Sequence, residues 1–272
     1  MSTRTHSRPQ ALVTGASSGL GAAFAERLAR DGCDLIVVAR RREQLESLAE
    51  RLQKDHQCAV EVMVADLSDS DNLRTVEKHI AEDLALELLV NNAGFGGYMP
   101  FVELDPDKAE ELINLQVLAV TRLTRAVLPG MIARRRGSII NVSSRLAFSG
   151  SMGSSQLPKR ATYAGTKAFI NTFTILLQSE LEGTGVQMQA LCPGVVRTEF
   201  HERVGIDPNR YPAAIVMEPE DVVEASLAAL KSGEVICIPA LEEPGLLSQI
   251  QESEKQLFEF TRTANLAKRY RP

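Results

Sequence analysis

The sequence lacks any pattern for a metal site or a disulfide framework. Its four cysteines, Cys33, Cys58, Cys192 and Cys237, are dispersed, with no C-x-x-C spacing and no neighbouring histidine pair. They read as small apolar residues in a reducing compartment. A basic excess is missing as well. The formal net charge is −5, which gives no reason to expect nucleic acid or an anionic membrane as a partner. The short basic runs at 40–42 and 133–136 sit in helical or loop context, the second reading as a solvated helix C-terminus. Residues 1–10 have no apolar core after their charges, so no signal peptide is expected. No apolar run approaches the roughly 18 residues that span a bilayer. A cytoplasmic protein is expected. Internal repeats and low-complexity linkers are absent too, so the 272 residues read as one domain, with a core over about 10–240 and a charged tail over 241–272.

Short apolar runs alternate with longer amphipathic ones. Residues 11–14, 34–39, 60–65, 86–90, 138–142, 186–191 and 234–238 read as strands, mostly rich in β-branched residues or leucine. Helical segments are expected near 19–31, 41–55, 69–83, 106–134, 161–183 and 219–231. This alternation predicts an α/β fold with a parallel sheet of about seven strands and helices on both faces. Two stretches interrupt it. Residues 145–160 are rich in serine and glycine and form a loop, and 199–218 is long enough to serve as a lid over a substrate.

Two local patterns point to chemistry. The first strand runs into "TGASSGLG", which places Gly15, Gly19 and Gly21 where a strand turns into a helix. Such a turn lets backbone amides approach a pyrophosphate at a helix N-terminus, or it is simply tight. Further on, "TYAGTK" sets Tyr163 one helical turn before Lys167, so both side chains lie on one face. A free tyrosine, with a pKa near 10, is a poor base at neutral pH, and a neighbouring ammonium favours its phenolate.

Taken with "NNAG" at 91–94, "NVSS" at 141–144 and "PGVVRT" at 193–198, these motifs occur in an order that resembles the short-chain dehydrogenase/reductase family. The resemblance covers about residues 10–240. It implies a Rossmann-type, doubly wound sheet and an NAD(P)(H)-dependent interconversion of alcohol and carbonyl. It also implies Tyr163 as general acid/base, Lys167 as the group that lowers its pKa and binds the nicotinamide ribose, and Ser144 as the donor that polarises the carbonyl, with Ser143 its neighbour. Gly15, Ser17, Ser18, Gly19, Leu20 and Gly21 would cradle the dinucleotide. Asp66 and Leu67 would meet the adenine, Asn92, Ala93 and Gly94 would pass the ribose, and Pro193, Gly194, Val196 and Thr198 would flank the nicotinamide.

At the end of the second strand an acidic residue would select NAD; here Ala39 is followed by Arg40 and Arg41. Guanidinium groups there suit the 2′-phosphate of NADP(H). In the family, an asparagine of the helix at 106–134 holds a proton-relay water, and the matching position is Gln116. The expected activity is an NADP(H)-dependent oxidoreductase acting on an apolar or amphipathic small carbonyl or alcohol. Leu146, Phe148, Met152, Phe200, Ile206, Tyr211 and Ile215 are candidate pocket residues. A non-catalytic NADP(H)-binding protein and a ketoacyl reductase are the alternatives. Homodimers or homotetramers, paired through 106–134 and 161–183, are implied by the resemblance.

Overall fold

The computed structural model describes residues 8–83, 85–153, 157, 159–202 and 211–271, in two units, Met1–Pro239 and Ala240–Pro272. The first unit is built on a seven-stranded sheet: β1 (Gln10–Thr14), β2 (Asp34–Ala39), β3 (Val60–Val64), β4 (Leu86–Asn91), β5 (Gly137–Val142), β6 (Val186–Leu191) and β9 (Ile236–Cys237). Their order is β3-β2-β1-β4-β5-β6-β9, and every pairing is parallel. The chain therefore reverses direction across the sheet between β1 and β4, and this switch point opens a crevice at the carboxyl ends of both strands.

The run at 234–238 gives only a two-residue edge strand, because Ile236 and Cys237 alone pair with Ala190 and Leu191. A second small sheet pairs β7 (Val195–Val196) with β8 (Val216–Met217), pinning both ends of the expected lid. Within that stretch, α7 (Glu199–Glu202) and a 3₁₀ turn at Ala213–Ile215 are described.

Helices cover both faces. α1 (Gly19–Arg30), α2 (Arg42–His56) and α8 (Pro219–Lys231) close one apolar core, with Phe24, Leu45 and Val222 fully buried. α3 (Ser70–Ala81) and α5 (Ala119–Arg134) close the other through Leu73, Val76, Leu123 and Met131. α6 (Ala161–Glu180) lies along β6 and against α4 (Pro106–Ile113). These amphipathic faces are what the periodicity of the sequence encodes.

The helix expected over 106–134 is interrupted by a π-helical turn at Asn114–Leu118. By length and composition this segment could cross a membrane, contrary to the expectation of no such run, yet α5 carries core residues such as Leu123 and Val127. In mid-sheet, Asn91 and Asn141 are register partners. Asn91 Nδ2 donates to Asn141 Oδ1 at 2.9 Å and to Thr124 at 3.2 Å, and Asn141 Nδ2 donates to Thr174 at 3.0 Å.

The second unit holds α9 (Gly245–Phe260), whose Leu257, Phe258 and Phe260 are exposed.

Candidate active site

β1 delivers the chain into a turn that needs glycine. Gly15 (φ 67°) and Gly19 (φ 57°) occupy the left-handed region. A Cβ on Gly15 would lie 2.9 Å from the Ala93 backbone, and one on Gly19 would lie 3.0 Å from Thr198. Thr14 ties the two halves of the crevice together. Its hydroxyl accepts the amides of Asn92 and Ala93 at 2.9 and 3.0 Å, while Asn92 Nδ2 donates to the Thr14 carbonyl at 2.9 Å. α1 then opens on the crevice with no acidic residue in its first turn. A glycine-bearing turn at a helix N-terminus fits the pyrophosphate of a dinucleotide.

Gly21 serves this turn from outside the cavity. Its Cβ would lie 2.3 Å from the Gly15 carbonyl oxygen, so it permits close packing of α1 on the turn; direct ligand contact, expected from the motif, is not its place.

The two arginines after β2 differ. Arg41 donates to Ser17 Oγ at 3.0 Å, to the Ser17 carbonyl at 3.2 Å and to Ser18 Oγ at 2.7 Å, and pairs with Glu199 of α7 at 3.2 Å. Arg40 is more exposed and reaches Asp66 at 3.4 Å and Glu111 at 3.3 Å. Asp66 also accepts the amide and hydroxyl of Ser68. Burial pushes its carboxyl up, but the bonds from Ser68 and the Arg40 charge outweigh this and hold it below the usual value. Asp69, not Asp66, caps α3.

Tyr163 and Lys167 are both buried, with Nζ 5.5 Å from the phenol ring centroid. The Ser144 and Tyr98 hydroxyls both hydrogen-bond the Tyr163 hydroxyl. Ser144 Oγ accepts the Leu146 amide at 3.1 Å, whereas Ser143 Oγ donates to the Lys167 carbonyl at 3.0 Å, as a structural neighbour would. The electrostatics add what spacing does not report. Burial pushes the Tyr163 phenol up to about 12, and the groups that pull it down are Tyr98 and Ser144, not Lys167. Lys167 is itself pushed down to about 7 by burial, and Nζ donates to the Val142 carbonyl at 2.8 Å. The dry site weakens both charges before they can help each other.

Gln116, expected to hold a relay water, directs its amide to protein partners. Nε2 donates to the Phe95 carbonyl at 2.6 Å, and Oε1 accepts the Thr166 hydroxyl at 3.1 Å. The residue is fully buried and does not line the cavity.

All the other expected site residues line one cavity of about 1080 Å³, from Gly15 and Ser17 through Arg40, Asp66 and Asn92 to Ser144, Tyr163, Lys167 and Thr198. Leu146, Phe200, Tyr211 and Ile215 line its substrate end; Phe148 and Met152 do not, and Ile206 lies outside the described residues. The loop after β4 contributes Tyr98, Met99 and Leu104, which sequence reasoning missed. Only their place directly after "NNAG" could have signalled them. Arg160, also missed, is buried and fastens the 145–160 loop to α6 through Ser149 and the Met152 carbonyl.

Comparison with known proteins agrees with this geometry. Residues 9–209 match the family model described as short chain dehydrogenase. An uncharacterized oxidoreductase of Myxococcus xanthus is 36% identical over 215 residues, 79% of this chain and 80% of its own. A short-chain dehydrogenase from Sphingobium yanoikuyae, solved in complex with NADPH, has a TM-score of 0.91 and 37% identity, covering 97% of this chain and 100% of its own. The bulky-bulky ketone specific alcohol dehydrogenase from Comamonas testosteroni has a TM-score of 0.87 and 33% identity, covering 97% and 99%.

Proposed function

The chain belongs to the short-chain dehydrogenase/reductase family and is an oxidoreductase of the CH–OH group; from that premise we propose that it is an NADP(H)-dependent reductase of bulky, largely apolar ketones. The observation that carries this reading is the convergence of Tyr163, Ser144 and Lys167 with the glycine turn on one cavity. Its substrate end is walled by Tyr98, Leu146, Phe200, Tyr211 and Ile215. A bound reduced nicotinamide supplies the hydride.

The chain's own residues do the rest. The Ser144 hydroxyl hydrogen-bonds the substrate carbonyl, and the Tyr163 hydroxyl gives its proton to the oxygen as negative charge develops there. Lys167, anchored on Val142, holds the ribose and adds positive charge beside the phenolate. Arg41, poised over Ser17 and Ser18, and Arg40 would take the 2′-phosphate, which supports NADP(H) over NAD(H). The ketone class is also supported by the Comamonas enzyme's specificity for bulky-bulky ketones.

We read the protein as a cytoplasmic homo-oligomer. On α6, Phe169 stacks on Phe173 with centroids 5.6 Å apart, and Ile175 and Leu176 are exposed, a face suited to pairing with a second copy.

The test is loss of nicotinamide absorbance with NADPH across a panel of aliphatic, aromatic and doubly substituted ketones. Turnover should be highest on bulky ketones and should vanish in Tyr163→Phe, with NADPH binding retained. NADPH binding without turnover on any carbonyl would support a non-catalytic protein instead.

A further inference from the structure

We propose that Tyr98, on the loop after β4, is a positioning residue that tunes the general acid/base: its hydroxyl donates to the Tyr163 oxygen and stabilises the phenolate. This rests on the reading of Tyr163 as the group that moves the proton.

The geometry is specific. The Tyr98 and Tyr163 rings meet edge to face, with centroids 5.2 Å apart and planes at 64°, and both residues line the same cavity. The bond between them favours charge on Tyr163 and disfavours it on Tyr98. Tyr98 therefore stays protonated and acts as donor. Burial raises Tyr98 far above its ordinary value, and the neighbouring Tyr163 and Tyr211 add to this.

The other groups that face Tyr163 come from every packed element. Lys167 lies on its own helix, Ser144 follows β5, Cys192 follows β6 and raises the phenol, and the Phe200 ring lies at 6.2 Å. Two of the described neighbours thus supply hydrogen bonds that favour the phenolate. Ser144 must also bond the substrate carbonyl during the reaction, which leaves Tyr98 as the donor available to Tyr163 throughout the cycle. A phenol in a dry pocket needs such a partner, because a carboxylate or phenolate accepting hydrogen bonds is what shifts a pKa down against burial.

The prediction separates this from a packing role. Tyr98→Phe keeps the ring contact and removes only the donor. A hydrogen bond to a charged acceptor supports a shift of about one to two pH units. In alcohol oxidation with NADP⁺, which needs the phenolate, the acid limb of kcat/KM should move up by that amount, and rates on the acid side should fall about 10- to 100-fold. Tyr98→Leu, which also lacks the donor, should move the limb in the same direction.

A second measurement needs no turnover. The chain has four tyrosines and no tryptophan, so tyrosinate absorbance can be followed without an indole background. With NADP⁺ bound, the component present in wild type and absent from Tyr163→Phe should form at higher pH, or leave the accessible range, when Tyr98 is Phe. An unmoved limb together with an unmoved tyrosinate component would overturn the proposal, even if rates fell. Absence of turnover in the wild type would overturn the functional reading, while the absorbance titration would still decide the role of Tyr98.

Discussion

Lys167→Met should make the protein more stable while abolishing its activity. Lys167 is buried, and burial pushes its ammonium from 10.5 down to about 7. At about 1.4 kcal/mol for each tenfold change, holding this group inside the fold costs about 5 kcal/mol at or below pH 7. Methionine fills a similar volume without a charge, but it leaves the Val142 carbonyl without its 2.8 Å partner, a loss of about 1–3 kcal/mol. The net gain is about 2–4 kcal/mol, which for a chain of this size raises Tm by roughly 5–15 °C.

The sign also fixes the pH dependence. A lowered lysine pKa carries no penalty above 10.5; the penalty grows as pH falls and is complete below about 7. Tyr163 works the other way, contributing stability below pH 10 that is lost as pH rises toward 12. Cys192 and Cys237, also raised by burial to about 12, lose theirs from pH 9 upward. Between pH 7 and 9 the lysine therefore acts without their opposition. Across that window, without added cofactor, wild-type stability should rise by up to about 1.4 kcal/mol per pH unit from this group, and Lys167→Met should lose that slope. Denaturant titrations at several pH values measure both quantities. A variant less stable than wild type at pH 7, or one with an unchanged slope, would refute the reasoning.

Arg41→Ala should weaken NADPH binding about 10- to 100-fold, the worth of a charge-assisted bond to phosphate, and leave NADH nearly unchanged. Arg40→Ala should do less, because Asp66 and Glu111 already share its guanidinium; equal losses for both cofactors in calorimetry would remove the 2′-phosphate from the argument. Gln116→Ala strands the Phe95 carbonyl, while the Thr166 hydroxyl keeps its 2.8 Å bond to the Tyr163 carbonyl, and should lower stability by about 1–3 kcal/mol together with kcat. Gln116→Asn, too short to reach both partners, should not restore either. An unchanged melting temperature in Gln116→Ala would defeat this clasp, and a fall in kcat alone would return the residue to a relay role.

Much of the fold is legible in the sequence because strand and helix leave different periods, and the parallel order follows from their alternation. The site is legible where residues act at fixed local spacing: the Gly15–Gly19 turn, and Tyr163 with Lys167 one turn apart. What stays hidden is set by distant partners. Nothing within 114–118 announces a π-helical turn; there is no proline or glycine in it, and it coincides with Gln116 reaching toward Phe95 and Thr166. Tyr98 meets Tyr163 through a ring contact between segments far apart in sequence, which no local spacing reports. Composition alone places Phe148 and Met152 beside Leu146 in the pocket, but the chain turns through a 3₁₀ segment at Arg145–Phe148, and only Leu146 of these three lines the cavity. Burial, which opposes the help Lys167 gives Tyr163, is hidden as well, because spacing reports proximity and says nothing of desolvation.

The amides at the centre of the sheet have a consequence for how the two halves of the crevice are kept level. Parallel strands of β-branched residues offer many nearly equivalent alignments, and a slip of one residue turns every side chain to the opposite face. Asn91 and Asn141 remove that degeneracy. Aligned, they bond each other and reach Thr124 and Thr174; displaced by one position, they would leave buried amide groups unpaired, at about 1–3 kcal/mol for each. Even aligned, Asn91 Oδ1 has no partner among the described protein groups, so an aliphatic pair could bind these strands more tightly. The amides instead act as a gauge mark. Ser144 emerges three residues past one of them, and the Asn92–Gly94 passage begins directly after the other. An aliphatic pair at 91 and 141 would leave the sheet its strength and take away its zero point.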